Sequence, residues 1–118
     1  MFLSTVKKSS FVLLLVLSIA SFGQEKHLKN IKQLTFGGDN AEAYFSPKGD
    51  KLTLQVTNKA FGVSCDQIFM LDLQAQEFNE KSLQLVSTGK GRTTCSYYMP
   101  DGKHILYAST HAADHACP

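Results

Sequence analysis

Ten residues of this chain recur in kind 53 positions later. Ala43-Tyr44-Phe45-Ser46-Pro47-Lys48-Gly49-Asp50-Lys51-Leu52 returns as Ser96-Tyr97-Tyr98-Met99-Pro100-Asp101-Gly102-Lys103-His104-Ile105. Each copy reads as an aromatic strand, a Pro-x-Gly turn and a second strand. Proline pre-sets φ for such a turn and glycine takes its left-handed position. Similarity at a fixed period is the mark of a radial or solenoid array, in which each repeat buries its apolar surface against the next. The repeat therefore constrains architecture strongly and activity weakly, because repeat folds host many unrelated functions.

The segments around the repeat carry strand signals. In Lys51–Thr57, Leu52, Leu54 and Val56 alternate with polar residues, the period of a half-buried strand. Gln67–Leu73 is a short, nearly continuous apolar run, as expected of a strand covered on both faces. The expected strands are 31–35, 41–45, 51–57, 66–73, 82–87, 93–98 and 104–109. Loops are expected at 36–40, 58–64, 74–81, 88–91 and 110–118. No segment after residue 23 has convincing helical periodicity, so the chain is expected to be all-β.

The N-terminus is different in kind. Lys7 and Lys8 precede Phe11–Ala20, an apolar run of about ten residues, and Ser21-Phe22-Gly23 follows. A basic stretch, a short apolar run and small residues form the pattern of a secretory signal. The run is too short to span a bilayer, which needs roughly 20 residues. Residues 1–23 are accordingly expected to be a signal peptide, with cleavage before Gln24 or, alternatively, after Ala20. A buried apolar helix or an uncleaved anchor is the other reading. Residues 24–30 are expected to form a flexible polar lead-in. No cysteine follows the apolar run closely, which argues against a lipoprotein anchor. After cleavage no stable membrane anchor is expected.

Removal of Lys7 and Lys8 changes the formal charge from +2 to neutral. The remaining bases are scattered, unlike the clustered basic surface that tracks phosphates, so nucleic acid is not an expected partner. Cys65, Cys95 and Cys117 are the cysteines. Disulfides persist in exported proteins, and an odd count leaves at least one cysteine unpaired within the chain. All three are disulfide candidates, and the sequence leaves the pairing open. His111-x-x-Asp114-His115-x-Cys117 holds metal-capable residues, but not at the spacing of a closed zinc site. No metal site or cofactor is expected. The chain contains no G-x-S-x-G elbow, no H-E-x-x-H and no phosphate-binding loop, so no catalytic residue is assigned. Ser46 reads as a turn residue.

A Gln33-Leu34-Thr35 strand, a Gly-rich turn, an aromatic strand ending in Phe45-Ser46-Pro47-x-Gly49 and the Leu52-x-Leu54 strand resemble the WD-repeat-like blades of TolB-type β-propellers. The resemblance covers residues 31–109. The same blades occur in the propellers of prolyl oligopeptidase-type peptidases. The proline-to-proline step of 53 residues slightly exceeds the roughly 40–50 residues typical of propeller blades. The resemblance implies a β-propeller of four-stranded antiparallel blades. In this chain 31–118 would supply a closing strand (31–35), one blade and half of another, as part of a longer, exported bacterial protein of periplasmic or secreted location. It also implies that the loops 37–42, 60–66, 89–94 and 111–117 share one mouth, together with the cysteines. Cys117 there takes the same blade position as Cys65, which suggests disulfide use. Asp39, Asn40, Glu42, Asp66 and Arg92 become the candidate residues for binding a protein or small ligand; their alternative role is as turn residues and solvated charges. The expected function is a non-enzymatic binding module. The alternative is the propeller of an exported peptidase, prolyl oligopeptidase-type or zinc aminopeptidase, with its catalytic domain elsewhere.

Overall fold

The computed structural model describes residues 27–118. The expected signal segment 1–23 and the first residues of the lead-in lie outside the described residues. The chain divides into two compact units, Met1–Lys32 and Gln33–Pro118. Of the first unit, residues 27–32 are exposed and without regular secondary structure.

The second unit is all-β and antiparallel. Its strands are β1 (Asp39–Phe45), β2 (Lys51–Asn58), β3 (Val63–Asp72), β4 (Leu83–Leu85), β5 (Thr93–Tyr98) and β6 (Ile105–Ser109). Two one-turn 3-10 helices, Lys59–Phe61 and Glu80–Ser82, occupy the loops before β3 and β4. β1 to β4 form one sheet in sequence order, and β5 pairs with β6 in a second. Six of the seven expected strands are present, with ends displaced by up to three residues.

The exception is 31–35, which forms no strand. A short segment becomes a strand when a neighbouring backbone supplies its ladder bonds, and no ladder includes these residues. Leu34 instead packs as a half-buried side chain against the core.

One face of the first sheet gathers Leu52, Leu54, Val56, Val63, Phe69 and Leu71, all buried. Phe61 lies against Phe69 with ring centroids 5.9 Å apart. Register explains the cluster. Leu52 opposes Leu71 and Leu54 opposes Phe69, and opposed residues of an antiparallel pair share a face. Burying each such side chain stabilises the fold by about 1.5–3 kcal/mol. The alternation in β2 foretold this face. It did not foretell that the opposite face is also covered. Thr53 has no exposed surface, and its hydroxyl lies 2.7 Å from that of Ser96 on β5. The second sheet thus packs on the polar side of β2.

The sequence repeat is also a repeat of backbone detail. Ser46 N–H donates to the Lys51 carbonyl and Gly49 N–H to the Ser46 carbonyl, each at 2.9 Å. Met99, His104 and Gly102 make the same two bonds at 2.9 Å, every partner 53 positions on. The β1–β2 ladder slips between Ala41 and Tyr44, and the β5–β6 ladder between Thr94 and Tyr97. These are β-bulges, which bend a strand and increase its twist. The bulges hold Glu42 at φ 49° and Cys95 at φ 51°, again one repeat apart. Downstream of the bulges, Tyr44 and Tyr97 meet edge-to-face at 5.5 Å.

Gly38 and Gly91 also correspond. A Cβ on Gly38 would stand 2.5 Å from the Thr57 carbonyl oxygen. One on Gly91 would stand 2.6 Å from Thr110 Oγ1 and 2.8 Å from the His111 nitrogen. Both positions have positive φ. Gly49 has positive φ as well, but nothing lies within 4 Å of its missing Cβ. G49A should therefore incur only the left-handed backbone cost of about 1–2 kcal/mol, whereas G91A adds a steric clash. Hydrogen exchange should show β5–β6 amides in G91A losing at least tenfold more protection than β1–β2 amides lose in G49A. Equal losses would refute the close approach.

Candidate functional site

The loops entering β1 and β5 and the loops around 58–66 and 110–117 lie at one end of the strands, opposite the two Pro-x-Gly turns. Five candidate residues belong to that end, and they divide into three situations.

Asp66 and Arg92 are brought together. Arg92 Nε lies 3.4 Å from Asp66 Oδ2. The carboxylate is fixed from its other side by the Thr57 hydroxyl, which donates to Oδ1 at 2.6 Å. Asp66 belongs to β3 and Arg92 immediately precedes β5, so this pair ties one sheet to the other. The Arg92 side chain is about half exposed, at 46%. Solvent screens such a pair, which contributes at most about 1 kcal/mol.

Asn40 has a local task. Its side-chain amide donates to the Gly37 carbonyl at 3.0 Å and, at 3.5 Å, to that of Gly38. That is turn chemistry, as its residue type allows. Asp39 and Glu42 differ from both cases. Each is exposed on β1, and the bulge sets the direction of Glu42 through its positive φ. Among the described residues neither carboxylate takes part in an ion pair, unlike Asp66 and Arg92.

The cysteine question resolves at the same end. Cys65 and Cys117 form a disulfide with Cα atoms 5.7 Å apart, and Cys95 is a free, exposed thiol. The sulfur of Cys117 is therefore unavailable as a thiolate ligand. His111 and Asp114 of the same segment are engaged locally. His111 Nδ1 lies 2.8 Å from Ser109 Oγ, and Asp114 Oδ1 accepts the Ala116 N–H at 2.9 Å. Among the described residues no three His, Cys, Asp or Glu side chains are grouped to hold a metal ion.

Sequence reading missed Gln67, the residue that organises this end. It is 1% exposed. Its Nε2 donates to the Gly91 carbonyl at 2.8 Å. Its Oε1 accepts from the Ser87 hydroxyl at 2.7 Å and from the Gly89 N–H at 3.1 Å, with the Thr93 hydroxyl at 3.5 Å. Ser87 in turn accepts the Ile68 N–H at 2.9 Å. A buried amide must find partners, and these hold the turn before β5 against β3. A polar residue opening an apolar run was the available signal.

The opposite end carries its own electrostatics. The Ser46 hydroxyl donates to Asp50 Oδ1 at 2.7 Å and holds the Asp50 carboxyl below its usual range. In the second copy Met99 stands where Ser46 does, and Asp101 braces the turn instead. Asp101 Oδ1 accepts from the Lys103 and His104 N–H groups at 2.9 and 3.1 Å, and Oδ2 lies 2.6 Å from His104 Nδ1. The His104 contact, followed by the backbone bonds, lowers the Asp101 pKa from 3.8 to about 2. Tyr98, by contrast, is buried with its hydroxyl unpartnered among the described residues, and burial raises its pKa.

No helix among the described residues is long and apolar enough to cross a membrane. In comparisons with protein-family models, curated proteins and solved structures, nothing matches this chain.

The Asp101 turn gives a signed pH dependence. Folding depresses this pKa, so its stabilisation is complete above about pH 4 and is lost as pH falls through about 2. H104A should move the Asp101 carboxyl titration, followed by NMR, upward toward 3.8. An unmoved midpoint would show that the imidazole is not the main cause.

Proposed function

We propose that the two sheets are successive blades of a TolB-like β-propeller. In this reading the exported protein serves as a binding module for a protein or small ligand, without catalysis in this segment. The observation that carries the reading is the 53-residue equivalence in backbone detail: the same turn bonds, the same bulge, the same close glycine approach. Equivalent units packed face against face are what radial repetition requires, and propellers are built from four-stranded antiparallel sheets of this kind. The meander β1-β2-β3-β4 matches one blade, and β5–β6 match the first two strands of the next. The basic, apolar and small-residue pattern of 1–23 supports export, and the disulfide accords with an oxidising compartment.

The binding end is the one holding Asp39, Asn40, Glu42, Asp66 and Arg92. The chemistry there is recognition by fixed charge. Arg92 and its one-repeat counterpart Asp39 occupy the same place at the head of a strand. Arg92 is committed to Asp66 of the neighbouring sheet, while Asp39 and Glu42 stay open to solvent. A partner offering lysine or arginine side chains, or a cationic small ligand, suits these carboxylates. The Gln67 network ties the turn before β5 to β3, and a preorganised loop lowers the entropy lost on binding.

Site-specific photo-crosslinking in the exported protein tests this reading. A crosslinker at position 39 or 42 should capture a partner, and one at position 48, in the turn at the other end, should not. E42Q in the position-39 protein should reduce the yield several-fold. Equal capture at position 48, or no capture at 39 and 42, would contradict it.

A further inference from the structure

We propose that the Cys65–Cys117 disulfide is a redox-operated latch that holds the loop 110–118 over a recess beside the start of β3 and the Gly89–Gly91 turn. The latch depends on local geometry and stands apart from the binding reading above.

The recess has a volume of about 80 Å³ and is lined by Val63, Ser64, Gln67, Gly89, Gly91 and His115 along with the two bridged cysteines. The loop that closes it has two kinds of attachment. Its start is built into the sheet: Thr110 N–H donates to the Arg92 carbonyl at 3.0 Å, and Thr110 Oγ1 accepts the Arg92 N–H at 2.9 Å. Ala113 and Asp114 N–H groups both donate to the Thr110 carbonyl and form a turn. Beyond that turn the loop is held to the rest of the protein by the Gly91 N–H to His115 carbonyl bond, 2.9 Å, and by the disulfide. Residues 112–118 are all exposed, so no buried apolar side chain anchors this stretch. Among the described residues, cutting the disulfide leaves the Gly91 N–H to His115 carbonyl bond as the contact between this stretch and the sheets.

The two half-cystines are unequal in access. Cys65 is 6% exposed within β3, whereas Cys117 is exposed in the loop. Thiol–disulfide exchange needs an attacking thiolate to reach one sulfur, and Cys117 Sγ is the reachable one. A thiolate of a dithiol reductant attacks it, the S–S bond breaks, and Cys65 leaves as a thiolate that takes up a proton. The reductant's second thiol then displaces Cys117 from the mixed disulfide. Two electrons pass to the cystine, both cysteines end as thiols, and the reductant departs as its own disulfide.

Release is local because other bonds keep the sheets docked. Gln67 to Gly91, Thr53 to Ser96 and Asp66 to Arg92 do not involve the loop. What opens is the Gly91 N–H, the recess beside Gln67 and the Cys65 thiol.

Hydrogen exchange read by mass spectrometry on the full exported chain tests the latch. C95S removes the free thiol so that only the latch responds. With dithiothreitol, Gly91 and residues 115–118 should exchange at least tenfold faster, while β2 and β3 amides stay within twofold. C117S should reproduce this without reductant. Cys65 should also become open to alkylation under the same conditions. Unchanged exchange at Gly91 after reduction would overturn the proposal. So would a parallel loss of protection in β2 and β3, because the disulfide would then staple the whole fold.

Discussion

The buried carboxamide of Gln67 is the interaction on which the joining of the two sheets rests. An amide in the interior costs free energy unless its donors and acceptors are met, and here they are met by groups from the connection between the sheets. Ser87, Gly89, Gly91 and Thr93 all converge on it. The turn leading into β5 is therefore held at one place on β3. From there β5 runs across the polar side of β2, where Thr53 meets Ser96 and Gln55 accepts the Cys95 N–H. Thr53 and Ser96 are both buried where the sheets meet. Polar contacts of this kind fix register more than they add stability, since a sliding sheet would leave each group unpaired.

That placement brings separate parts of the sequence to one end. Arg92 reaches Asp66 because the turn before it is pinned one residue away at Gly91. Cys117 reaches Cys65 because β6 returns the chain to the same end. The Tyr44–Tyr97 contact arises lower on the strands by the same alignment of repeats. The candidate binding groups, Asp39 and Glu42, sit on β1, whose opposite edge carries no ladder among the described residues.

Much of this was legible in the sequence, for identifiable reasons. Leu52, Leu54 and Val56 alternate, and Gln67–Leu73 is nearly all apolar, so local pattern placed β2 and β3. The Pro-x-Gly turns placed the hairpins. Three features lay outside local pattern. The 31–35 segment has strand composition but forms no ladder, and composition cannot supply a partner. The burial of Thr53 depends on a second sheet covering a polar face, which alternation alone assigns to water. The bulges at Glu42 and Cys95 put non-glycine residues at positive φ, a conformation that residue type does not announce. Among the candidate site residues, charge complementarity could suggest Asp66 with Arg92, but only the fold shows them in contact. Asn40 turned out to brace its own turn, as asparagine commonly does.

Hydrogen exchange on Q67A most directly tests the claim that Gln67 docks the second sheet. Removing the amide leaves buried partners unsatisfied, each at about 1–3 kcal/mol. In Q67A, β5 amides from Thr93 to Tyr98 should lose at least tenfold protection while the Leu52–Leu71 region of β2 and β3 keeps its own. Unchanged protection in β5 would contradict it, because the sheets would then be held together by something other than this side chain.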